Sequence, residues 1–291
     1  MQGKAREISV ELRAEVDSAG SLPVPAIEEA VDIYDGEAEE VLVMSDAIQV
    51  KAQKPTRGRV DERCGGPEEK KVKRISTDLM LFEGRDGSFR HLSAGFGEGA
   101  PSLSEVAEAH LRREWGEHPE PLPVVAITDG ARSIRSLLEG LFGPSAQVIL
   151  DWYHLSKKVY QLLSMVAHGK AERERMQERV LGFLWRGEVR EAVSFLGGVE
   201  ARRAEALTEL IVYLRNHASE IIDYERRAKA GKVVGSGRME KKAVDRTVGM
   251  RQKKKGMSWS EAGSHALALL KVVELNGEWE QLWAPPTLAA A

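Results

Sequence analysis

Three short apolar runs, each ending on an aspartate, limit most strongly what this chain can fold into. They are VLVMSD (41–46), LPVVAITDG (122–130) and AQVILD (146–151). Runs this short, rich in Val and Ile and bounded by Gly, Pro or charge, carry the pattern of strands buried on both faces. Such strands belong to parallel pairings covered by helices. The segments between and after them supply helices: LSEVAEAHLRREW (103–115), capped by Ser102 or Ser104, ARSIRSLLEGLF (131–142), closed by Gly143 and Pro144, and WYHLSKKVYQLLSMVAHG (152–169).

Two further strands, VKRISTDLMLFE (72–83) and SFRHLSAGF (88–96), are joined by the turn signal GRDG. AIQVKAQ can extend the first apolar run, and residues 55–71 have the Gly, Pro and charge content of a mobile loop. From 170 to about 225 only helical signals occur. A glycine cluster, VVGSG (233–237), then precedes a basic helix over 238–255, and SWSEAGSHALALLKVVEL (258–275) reads as the last helix, opened by Ser258 or Ser260. Three strands followed by alternating helices and strands predict an α/β fold with a mixed sheet flanked by helices. The expected divisions are an acidic N-terminal extension with a short helix (1–40), an α/β core (41–168), an all-helical insertion (169–232) and C-terminal helices completing the core (233–291).

Bulk properties exclude several classes. No apolar run approaches the roughly 20 residues of a membrane helix. The N-terminus lacks the apolar core of a signal peptide. A single cysteine, Cys64, excludes an internal disulfide and a cysteine-clustered zinc site. The expectation is a cytoplasmic protein without a membrane partner. Net charge is -3, but its distribution is uneven: residues 226–255 hold twelve Lys/Arg against two acids, and residues 51–74 hold nine against four. A phosphate backbone responds to such local potential rather than to the chain average. Lys51, Lys54, Arg238, Lys241, Lys242, Arg251, Lys253, Lys254 and Lys255 are therefore the candidate nucleic-acid contacts.

Asp46 and Asp129 fall at expected strand ends, where the edge of an α/β sheet commonly binds ligands. Right-handed crossovers bring these two ends together. Converging carboxylates repel and stay ionised only against a cation. Mg²⁺, with its preference for hard oxygen, suits them, and two such ions serve phosphodiester cleavage and transfer. Each acid alone is equally a turn former or helix cap. A third acid is sought on the helix after the glycines, where Glu240 and Asp245 compete. Asp151 and His154, one helical turn apart, form a compact pair in which the histidine contacts phosphate or orients a carboxylate, or else Asp151 caps the helix and His154 packs.

The stretches MSDAIQVKAQKP (44–55), AITDGARSIRSLLEGLFGPSAQVILDWYHLSKKV (126–159) and VVGSGRMEKKAVDRTVGMRQKKKGMSWSEAGSHALALL (233–270) resemble a bacterial insertion-sequence transposase family of the Kra type, with Mutator-like and IS-Lre-type transposases as more distant kin. YLRNHASEIIDYERR (213–227) matches more weakly. The resemblance implies an RNase H-like fold and a metal-binding DDE triad of Asp46, Asp129 and Glu240, with Mg²⁺, or Mn²⁺ in its place, at a two-metal site. It implies that Asp151 and His154 are the family's C/DxxH signature, His154 joining the catalytic set. The implied activity is DNA hydrolysis and strand transfer in transposition, with transposon ends and target DNA as partners, a homo-oligomeric assembly and a nucleoid-associated location when bound to DNA. About 40 residues, acidic in balance, precede the first strand, whereas such relatives carry a longer end-recognising region, so the expectation is a catalytic part that is the second product of a split reading frame, served by a separate N-terminal DNA-binding polypeptide, or else a truncated copy or a domesticated remnant. Two alternatives stay open at this level: a non-catalytic or domesticated DNA-binding remnant, and a structure-selective nuclease on the same fold.

Overall fold

The computed structural model describes residues 1–53, 74–235 and 257–284, Asp46, Ala47 and Ile48 by backbone alone. Its elements are α1 (Gln2–Ala19), β1 (Val41–Lys51), β2 (Arg74–Glu83), β3 (Phe89–Ser93), α2 (Leu103–Trp115), β4 (Val124–Thr128), α3 (Arg132–Phe142), a 3-10 turn (Gly143–Ser145), β5 (Gln147–Leu150), α4 (Trp152–Val166), α5 (Lys170–Trp185), α6 (Val189–Gly197), α7 (Ala204–Asn216), α8 (Tyr224–Lys229), α9 (Glu261–Leu275) and α10 (Trp279–Trp283). The strands form a five-stranded sheet in the order β3-β2-β1-β4-β5. β2 and β3 pair antiparallel, whereas β1 with β4 and β4 with β5 pair parallel. This mixed sheet flanked by helices is the RNase H-like α/β architecture that the order of apolar runs predicted. No described helix is long and apolar enough to cross a membrane.

The chain clusters into two compact units, and β1 contributes to both. One unit comprises Met1–Pro25, Asp46–His118 and Met239–Ala291, the other Ala26–Ser45 and Pro119–Arg238. In the first, α2 and α9 pack on β2 and β3, and α1 packs on α2 and α9. The N-terminal helix is longer than its sequence suggested. Ala5 and Ile8 bury against Ala266, Leu269, Leu270 and Val273 of α9, so tertiary packing rather than propensity holds it. Ser102 caps α2 in a reciprocal box with Glu105, and Ser260 caps α9.

In the second unit β4 is buried along its whole length, as its five apolar and small residues require. The helical segment forms a closed ring in which α4 packs on α5, α5 on α6, α6 on α7 and α7 back on α4. A buried ion pair ties its far end to the approach to β1. The Arg227 guanidinium donates to both carboxylate oxygens of Glu40 at 2.8 Å, to the Ile33 carbonyl at 2.9 Å and to the Val233 carbonyl at 2.7 Å. One side chain thus fixes the residues just before β1 and those just before the VVGSG glycines.

Candidate active site

The last register pair between β1 and β4 is Ser45 with Thr128, and Asp46 and Asp129 are the next residues along each strand. Asp46 differs from expectation in one respect: β1 continues to Lys51, so it lies within the strand rather than at its end. β4 does end at Thr128. There Asp129 Oδ1 accepts the Ala131 N–H at 2.8 Å, a turn that directs the chain into α3. Asp129 is half-buried, and its second carboxylate oxygen has no hydrogen bond among the described residues. That oxygen keeps lone pairs for a hard cation.

Gly130 makes the turn possible. Its φ is +81°, and a β-carbon there would stand 2.7 Å from His217 Cε1 and 2.9 Å from Leu150 Cδ1. Behind it lies a charge cluster formed over a long sequence separation. Glu220, nearly buried, takes the Arg135 guanidinium at 2.5 Å on one oxygen and His217 Nδ1 at 2.7 Å on the other. Arg135 Nη2 also lies 3.3 Å from His217 Nδ1. The carboxylate can only accept, so Nδ1 carries the proton and the arginine contact is secondary.

Asp151 is fully buried at the start of α4, its N–H donating to the Thr128 carbonyl at 2.7 Å. Its Oδ1 accepts the Tyr153 N–H at 3.3 Å, and its Oδ2 lies 2.7 Å from His154 Nδ1. Asp151 is the helix cap, as one of the two readings expected, and its other oxygen orients the histidine ring, with Nδ1–H donating to the carboxylate. Gly235 completes this corner. A β-carbon on it would stand 2.7 Å from Asp151 Oδ1, so only glycine lets the chain pass so close to the carboxylate.

Two phenols report the local field. The Tyr213 pKa is raised by burial and then by the carboxylates of Asp129, Glu220 and Asp151, which places three negative groups within reach of one ring. Burial likewise holds Tyr224 well above its ordinary range, and its hydroxyl donates to the Leu150 carbonyl at 2.6 Å. Tyr213, His217, Glu220 and Arg135 were not singled out from sequence as site residues. Three of them lie in the weaker-matching YLRNHASEIIDYERR stretch, which was the available signal.

Lys51 is exposed on β1. Glu240, its competitor Asp245, Lys54, Arg238, Lys241, Lys242, Arg251, Lys253, Lys254 and Lys255, and the loop expected at 55–71, lie outside the described residues. Among the described residues no group of three His, Cys, Asp or Glu side chains forms a metal-holding cluster.

From Gly87 to Leu282, more than half of its length, the chain matches the uncharacterised protein family UPF0236. It belongs to that family. No curated protein and no solved structure matches it. The UPF0236 span includes Asp129, Asp151, His154, His217, Glu220 and Gly235, and starts after Asp46.

Two other features of this UPF0236 chain bear on function. A cavity of about 720 Å³ lies in the first unit, bounded by α1, α2, β3 and α9. His91 Nδ1, Ser93 Oγ and His110 Nε2, on residues of its wall, are buried without hydrogen-bond partners among the described residues. The tryptophans also sort themselves. Trp152 packs edge-on against Trp185 at 4.8 Å and against Tyr224 at 5.0 Å, an anchor for the helical ring. Trp279 and Trp283 are exposed and contact each other at 5.6 Å. Trp259 pairs by its backbone with Lys51 and Gln53 at the end of β1.

Proposed function

We propose that this chain is the catalytic part of a DDE transposase of the Kra type, acting on DNA phosphodiesters with divalent metal. The observation that carries the reading is the parallel register of Ser45 with Thr128, the residues that directly precede Asp46 and Asp129 in the chain. Asp129 fits a hard cation, since one of its oxygens is unused by the protein. Asp151 does not, because both of its oxygens are engaged and it is fully buried. The metal-holding residues are then Asp46, Asp129 and Glu240. Mg²⁺ or Mn²⁺ bound there supplies Lewis acidity for an attacking water or 3′-hydroxyl and for the leaving oxygen.

The chain's own residues do the positioning. Gly130, His217 and Glu220 hold the turn that carries Asp129. Asp151 fixes the ring of His154, and its own N–H is bonded to the carbonyl of Thr128, the residue before Asp129. Gly235, packed on Asp151, sets where the chain departs towards Glu240, and Arg227 anchors the residues before it. The basic residues Arg238, Lys241, Lys242, Arg251 and Lys253–Lys255 then provide the counter-charge for the phosphate backbone.

The test is cleavage and joining by the purified chain. DNA carrying the terminal repeats that flank its gene is incubated with Mg²⁺, with Mn²⁺ and with a chelator. Metal-dependent nicks at the repeat ends, followed by joining to target DNA, are the expected result. Binding without cleavage would favour a DNA-binding remnant, and cutting of branched DNA regardless of sequence would favour a nuclease.

A further inference from the structure

The outer face of α4 carries a stripe that its packing does not use. Tyr153, Lys157 and Tyr160 follow at helical spacing, and all three are exposed, the tyrosines at 47% and 48%. The Lys157 ammonium lies over the Tyr153 ring, 5.4 Å from its centroid, and forms no ion pair among the described residues. Its neighbour Lys158, by contrast, is bound to Glu209 at 2.6 Å. Neither tyrosine hydroxyl has a hydrogen-bond partner among the described residues, unlike Tyr224, whose hydroxyl is satisfied. Leu155, Val159, Leu162 and Leu163 face the core, so the stripe contributes little to folding.

We infer that this stripe binds an unpaired nucleic-acid strand leading from the candidate active site, a reading that rests on the proposed function above. Three observations point to that partner. The stripe begins two residues after Asp151, and the Tyr153 ring packs edge-on against His154 at 5.6 Å, so it is continuous with the corner of the site. Its composition alternates ring, cation and ring without exposed aliphatics, whereas a protein-docking helix face presents an apolar centre. Tyrosine rings stack on bases of any sequence, and an unpaired ammonium between them meets the phosphate. Along the helix the two rings stand roughly 10 Å apart at about 1.5 Å per residue, a span suited to neighbouring unstacked bases. Arg132, exposed and without an ion pair among the described residues, begins α3 just after β4 as Trp152 begins α4 just after the parallel β5, so both helices start from the same edge of the β4–β5 pair.

The experiment measures binding alone, with chelator present, so that no cleavage is needed. Fluorescence anisotropy of a labelled single-stranded oligonucleotide, and of the same sequence as duplex, is followed for the full chain and its variants. The variant Y153A/Y160A should lose about tenfold or more in single-strand affinity while duplex affinity stays within about twofold. The variant Y153F/Y160F keeps the rings and should bind as the unaltered chain does. K157A should weaken single-strand binding and lower its salt slope by about 0.7. Unchanged single-strand affinity in Y153A/Y160A, an equal loss on duplex, or failure of the phenylalanine variant to restore binding overturns the inference. So does loss of self-association in Y153A/Y160A with DNA binding intact, which would assign the stripe to a second copy of this chain. A chain that binds single strands through the stripe yet never cleaves DNA would contradict the proposed function and leave this inference standing.

Discussion

Ser45 and Thr128 are register partners on adjacent parallel strands, and each is followed by an aspartate. Strand geometry makes this more than a coincidence of sequence. Register-paired residues of neighbouring strands are held about 4.8 Å apart by the ladder. Carboxylates that converge raise the local negative potential, which a divalent cation relieves.

The turn after β4 depends on Gly130. Any β-carbon there meets both the left-handed backbone and the side chains of His217 and Leu150. Gly130→Ala should cost about 2 kcal/mol or more, from strain and overpacking together. Urea unfolding with an unchanged m-value reads this directly, and a midpoint equal to that of the unaltered chain would refute the packing described.

Arg227 and Glu40 are buried together, at 0% and 5% side-chain exposure. Removing Arg227 leaves the buried Glu40 carboxylate only Lys232, 3.6 Å away, so Arg227→Met should cost about 3 kcal/mol, the low end for a broken buried pair. The double variant Arg227→Met/Glu40→Met should be the more stable of the two. If the double variant is the less stable, the pair is not the anchor inferred here.

The histidines of the first unit give a pH signature. Burial, reinforced by Arg90 and Arg113 against the opposing Glu114, pushes His110 down to about 4, and burial lowers His91 too. A depressed histidine stays neutral in the folded chain while the unfolded chain takes up its proton near pH 6.5. Stability is therefore intact above that value and falls as the pH drops towards 4. For His110 the loss is about 2 kcal/mol between about pH 7 and about pH 5. His110→Phe preserves the edge contact with Phe82 and should flatten this slope in urea titrations. An equal slope in that variant would show the protons to be bound elsewhere.

What sequence could and could not reveal follows from range. The strand β4 was legible because burial along its whole length demands a run of apolar and small residues. The choice of Ser102 over Ser104 as the α2 cap was legible in principle, since only Ser102 has a glutamate, Glu105, three residues on. The helix α1 was under-read because its stability comes from α9, far along the chain. The Arg135, His217 and Glu220 cluster was invisible for the same reason: Arg135 and His217 are 82 residues apart, and no periodicity joins them. Trp152 and Trp279 look alike as isolated letters, and only packing made one an anchor and left the other at the surface.

The most direct measurement is DNA cleavage by Asp129→Asn. The amide keeps an oxygen to accept the Ala131 N–H, so the turn and the fold persist. It removes the carboxylate charge that would hold the metal. The account predicts that Mg²⁺-dependent cleavage falls by at least about a thousandfold, on the scale of a lost catalytic group, while DNA affinity is unchanged or higher. Cleavage at the rate of the unaltered chain would contradict it.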